Sequence, residues 1–72
     1  MEDYIIFKYD TDGKKRYVES IYKTSTSTDS DIADAIKFND KDLALKIRDY
    51  LNSRESYEFK VCKIETKVEE IE

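Results

Sequence analysis

Asp10-Thr11-Asp12-Gly13 is the first stretch of this sequence whose residue types could do chemistry. With Gly13 at the sixth position of a twelve-residue calcium loop, Asp10 and Asp12 fall at the third and fifth, and Glu19 at the twelfth. The pattern fails at its first position, which Lys8 occupies, and strand-like residues flank the loop where helices belong. A tight hairpin turn explains the four residues better. Asp40 and Asp42 form a second carboxylate pair. Two residues apart on a helix, they do not face each other, and negative charge in a first helical turn has a structural use. Cys62 is the single thiol. Lys60 and Lys63 stand near enough in sequence to activate it, but a lone cysteine more often behaves as a small buried hydrophobe.

The missing types narrow the chemistry further. No histidine is present, so the commonest general base and the commonest metal ligand are both absent. One cysteine makes no thiolate zinc site, and one glycine makes no phosphate-cradling loop. The expectation is a protein that is not an enzyme, with no cofactor and no metal. With 42% charged residues and a net charge of −4 there is also no basic stripe, which argues against direct nucleic-acid binding.

Tyrosine is the most informative type. Tyr4, Tyr9, Tyr17, Tyr22, Tyr50 and Tyr57 are more than one tiny core needs. Ile5, Phe7 and Tyr9 lie on one side of a strand, with Tyr4 and Ile6 on the other. One helix covers one sheet face, so an apolar set remains for a partner. The set expected on the uncovered face is Tyr4, Ile6, Tyr17, Tyr22, Cys62 and Ile64. The competing reading has the chain between residues 24 and 38 folding over that face.

The elements that must position these residues follow from local patterns. Seventy-two residues make a single domain with room for one helix on a small sheet. Tyr4 to Tyr9 and Lys14 to Lys23 read as a hairpin closed at Gly13. Thr24 to Ser30 reads as a polar loop. Asp31 to Phe38 stays open between a helical turn capped by Ser30 and a short strand at 35–38. Asn39 to Ser53 reads as a helix with Asn39 as N-cap. Phe38 and Leu43 take staple spacing, and Leu43, Ala44, Ile47, Tyr50 and Leu51 form one apolar stripe. Tyr57 to about Val68 reads as the last strand. Its alternation slips near Cys62 to Ile64, through a bulge or through use of its other face. Residues 69–72 read as a frayed tail. The fold class is α+β, β-β-(β)-α-β, a small antiparallel sheet with one helix packed on one face.

The lone cysteine fits a reducing compartment. No run approaches the roughly 18 apolar residues of a membrane span, and Glu2, Asp3 and Lys8 interrupt any leader-like stretch. A cytoplasmic protein with no membrane partner is expected.

The segment Ala35-Ile36-Lys37-Phe38-Asn39-Asp40-Lys41-Asp42-Leu43-Ala44 resembles the helix entry, A-x-x-F-[polar]-x-x-x-x-A, of small phage and prophage accessory proteins of low-GC Gram-positive hosts. The ratio of ten lysines to three arginines is similar to theirs. The resemblance implies a class in which several members bind and inhibit a bacterial host or defence protein, and it carries no functional residues. The expectation is a non-catalytic protein-binding module acting by occlusion. The alternatives are an acidic nucleic-acid mimic that inhibits a DNA-binding enzyme, and a small structural or regulatory homodimer.

Overall fold

The computed structural model describes residues 2–65. Four strands form one antiparallel sheet: β1 (Glu2–Tyr9), β2 (Lys15–Ile21), β3 (Thr26–Asp29) and β4 (Lys60–Glu65), in the spatial order β3-β2-β1-β4. A 3-10 turn (Ile32–Asp34) and one helix, α1 (Lys41–Arg54), separate β3 from β4. The α+β class is as expected, with the helix on one face of the sheet.

The hairpin between β1 and β2 turns where Gly13 sits, at φ +80. Gly13 donates its amide to the Asp10 carbonyl at 3.0 Å, and Asp10 donates to the Lys14 carbonyl at 2.8 Å. The Asp10 carboxylate accepts the amides of Asp12 (2.9 Å) and Lys14 (3.0 Å). Both carboxylate bonds are turn chemistry.

Beyond Phe7↔Tyr17 the hairpin opens into a fork. Residues 36–38 fill it. Tyr4 and Phe38 exchange both backbone hydrogen bonds, and Ile36 donates its amide to the Val18 carbonyl at 3.0 Å. The segment left open by the sequence is thus both things in turn. The 3-10 turn is capped by Asp31, whose carboxylate accepts the Ala33 amide, rather than by Ser30. A single strand-like bridge follows at Phe38.

Thr26–Asp29, expected within a loop, is an edge strand paired to β2 from Tyr17↔Asp29 to Ile21↔Thr26. Thr carries strand propensity, but an edge with polar side chains on both faces has no hydrophobic alternation to announce it. Of the two readings of the slip near Cys62 to Ile64, use of the strand's other face holds and the bulge does not. The β1–β4 ladder runs unbroken from Glu2↔Glu65 to Phe7↔Lys60, with no bulge near Cys62, while the β2–β3 register shifts between Val18 and Ser20. That shift returns Ile21, three residues after Val18, to the same face, and both pack in the core.

The helix starts one residue later than expected. Asp40, not Asn39, is the N-cap, its carboxylate accepting the amides of Asp42 (2.9 Å) and Leu43 (3.3 Å). Phe38 is held extended by Tyr4, so the chain needs one more residue to turn into the helix. Of the expected stripe, Ala44 and Leu51 are buried and Ile47 packs against the core, but Leu43 and Tyr50 are 46% and 53% exposed. The helix packs over β1 and β4, and Leu43 and Tyr50, two turns apart on one flank, fall outside the contact.

The core is Ile6, Val18, Leu51 and Phe59, with Ile21, Ile36, Phe38, Ile47 and Val61 against it. Tyr57, expected to open the last strand, is exposed and precedes it; its ring lies under the Lys8 ammonium at 3.2 Å. The last strand expected to reach Val68, and the frayed tail 69–72, extend beyond the described residues. Among the described residues, no helix is long and apolar enough to cross a membrane.

Candidate functional site: a cationic groove beside an edge strand

Directly opposed residues of an antiparallel pair share a face. Ile6 opposes Val61 and Tyr4 opposes Lys63, so these four lie on the helix side. Ile5 opposes Cys62, Asp3 opposes Ile64 and Phe7 opposes Tyr17, which places that set on the other side. The six residues expected on one uncovered face are therefore split. Ile6 is 0% exposed in the core and can bind nothing. Tyr4 is half-buried on the helix side. Tyr17, Cys62 and Ile64 are half-buried on the far side, and Tyr22 follows the end of β2, exposed. The far face carries its own cover: Ile5 and Phe7 are buried there, with Tyr9 edge-on to Phe7 at 5.7 Å, Tyr17 at 6.5 Å and the Lys15 ammonium 4.9 Å over the ring. Burial pushes the Cys62 thiol above its ordinary pKa, and the positive charge of Lys15 only partly opposes this. Such a thiol is a poor nucleophile at neutral pH.

On the helix side, between α1 and β4, a groove of about 330 Å³ is lined by Tyr4, Lys41, Leu45, Arg48, Val61 and Lys63. Lys41 and Arg48 are two turns apart on one helix flank. Lys63 meets them from the strand, and Tyr4 and Val61 supply an aromatic and an aliphatic wall. Three cations thus converge in a chain of net charge −4. Two have carboxylate neighbours. Lys63 donates to Glu2 at 3.1 Å and lies 3.7 Å from the Glu65 carboxylate, and Arg48 donates twice to Asp49, at 2.9 and 2.8 Å. The Lys63 hydrogen bond and charge hold the Glu2 carboxyl below its ordinary value, and the same bond raises Lys63 above its own. These pairs are exposed, with Asp49 and Glu2 side chains 68% and 54% accessible, so another carboxylate can displace them at little cost.

The aspartates are occupied in a different way. Asp10, Asp29, Asp31 and Asp40 each accept the backbone amide two residues on. Among the described residues, no group of three or more His, Cys, Asp or Glu is gathered closely enough to hold a metal ion. Sequence reasoning found Tyr4 but missed Lys41, Leu45, Arg48, Val61 and Lys63. The spacing of Lys41 and Arg48 was visible, but bringing Lys63 to them required the β1–β4 register.

Comparison with known proteins finds no matching family model, no matching curated protein and no matching solved structure.

Proposed function

We propose that this chain is a non-catalytic module that binds another protein and acts by occupying part of its surface, using the groove between α1 and β4. The observation that carries this reading is the convergence of Lys41, Arg48 and Lys63 with Tyr4 in an otherwise acidic chain. Binding surfaces combine an aromatic anchor with charges that select the partner, and this groove has both. The resemblance of the helix entry to small phage accessory proteins suggests the partner's class, a bacterial host or defence protein. The nucleic-acid-mimic alternative is weakened by the aspartates. Four of them are held in turns and caps, and a mimic needs carboxylates in a continuous track.

The test is co-purification from bacterial lysate with the unaltered chain, with K41E/R48E, and with K46E, which changes a charge outside the groove lining. A stoichiometric partner that K46E retains and K41E/R48E loses supports the proposal. A partner held equally by all three removes the groove from it. A chain that elutes alone from every lysate, or only as a dimer by light scattering, overturns it in favour of self-association.

A further inference from the structure

The groove opens beside an edge strand that has no outer neighbour among the described residues, and the outward backbone groups of that strand belong to residues that line the groove. Tyr4 gives its amide and its carbonyl to Phe38, at 2.7 and 2.8 Å. Phe38 lies in the fork toward β2, so both backbone groups of Tyr4 point away from β4. In an antiparallel ladder such a residue belongs to a non-hydrogen-bonded pair with its opposite number on the other side. That opposite number is Lys63. Lys63 therefore turns its own amide and carbonyl away from β1, toward the outer edge of β4, and by alternation so do Val61 and Glu65. Among the described residues β4 is the last strand on that side of the sheet. Val61 and Lys63 thus present their side chains to the groove and their backbones to the outer edge.

We infer that β4 takes an extended acidic segment of the partner as a fifth, antiparallel strand, with the segment's carboxylates turned into the groove. This deepens the proposed function and rests on it. Strand addition supplies affinity through main-chain hydrogen bonds, and alternate side chains supply selectivity. Lysines on an edge strand ordinarily deter pairing with other chains. Here Lys60 and Lys63 reject neutral and basic strands, while an acidic strand neutralises Lys63 together with Lys41 and Arg48. The bonds from Lys63 to Glu2 and from Arg48 to Asp49, and the Lys63–Glu65 ion pair, are exchanged for bonds to the incoming carboxylates.

The geometry fixes which atoms of the segment matter. Residues opposite Val61 and Lys63 share their face and exchange backbone bonds with them. The carboxylate-bearing residues of the segment are therefore the ones whose amides bond to β4, and the residues between them are not. The probe is a blocked hexapeptide of alternating Glu and Val, titrated into the isotopically labelled protein and followed by amide chemical shifts and hydrogen exchange. The expected result is perturbation and slowed exchange at Val61 and Lys63, at least tenfold weaker binding when the Glu amides are N-methylated, and unchanged binding when the Val amides are. A Lys-Val counterpart should not bind. Equal binding of the two methylated peptides overturns strand addition, because charge alone would explain it. No binding of the Glu-Val peptide also overturns it. If co-purification still captures a partner that K41E/R48E loses, the proposed function survives either failure and only the mode of docking falls.

Discussion

The side-chain amide of Asn52 closes two hydrogen bonds with the backbone of Phe59: its oxygen accepts the Phe59 amide at 2.6 Å and its nitrogen donates to the Phe59 carbonyl at 3.2 Å. One side chain near the helix C-terminus thus completes both polar groups of a residue whose ring is 2% exposed in the core. Asn52→Ala should cost about 2 kcal/mol by leaving two partly buried backbone groups without partners. Asn52→Asp keeps the acceptor and loses the donor, and should fall between. Urea unfolding midpoints at one pH check the order, and equal stability of all three proteins would contradict it.

Gly13 should tolerate a side chain sterically but not conformationally. A Cβ there meets nothing within 4 Å, yet φ is +80. Gly13→Ala is expected to cost about 1 kcal/mol, and Gly13→Asn less, because Asn enters the left-handed region more readily. Thermal or urea denaturation of both variants tests this, and an Ala variant as stable as the parent would place the cost elsewhere.

The Glu2–Lys63 pair gives stability a pH dependence at both ends. The carboxyl of Glu2 lies below its ordinary value in the folded chain, so the unfolded chain takes up the proton first as pH falls. Its contribution is complete above the ordinary glutamate pKa and is lost as pH drops through the lowered one. The Lys63 ammonium lies above its ordinary value, so its contribution holds below the ordinary lysine pKa and is lost as pH rises through the raised one. Glu2→Gln should flatten the acid limb of a plot of urea midpoint against pH. Superimposable curves for parent and variant would mean the pair adds nothing.

Cys62 should alkylate slowly. Its thiol is partly buried on the far face and its pKa is raised. Iodoacetamide at pH 8 should modify it several-fold more slowly than a free cysteine, with the difference abolished in denaturant. Lys15→Ala should slow it further, since Lys15 is the charge that favours the thiolate. A folded protein that reacts as fast as free cysteine would contradict this assignment.

The parts of the fold written locally could be read directly. The Asp10–Gly13 turn, the Phe38–Asp40 helix entry and the alternation through Phe59 and Val61 each carry their signal within a few residues. The faces of β1 could not be read. Tyr4, Ile5, Ile6 and Phe7 are apolar on both sides, and what assigns Ile6 to the helix is its register with Val61 together with the placement of α1 over β1 and β4. β3 had no apolar alternation to reveal it. The groove was hidden because its cations, at positions 41, 48 and 63, look singly like ordinary surface residues, and only the pairing of Tyr4 with Lys63 brings them together.

The fork filled by residues 36–38 sets an order of events in folding. The β1–β2 hairpin can zip by itself from Gly13 only as far as Phe7 and Tyr17. Past that pair Val18 gives its carbonyl to Ile36, and the backbone of Tyr4 bonds to Phe38, a residue distant along the chain. The backbone of Tyr4 is therefore secured by the same event that secures Phe38 and launches the helix from Asp40. In native-state hydrogen exchange the Tyr4 and Phe38 amides should open together, as one cooperative unit, while the amides near Gly13 open on their own.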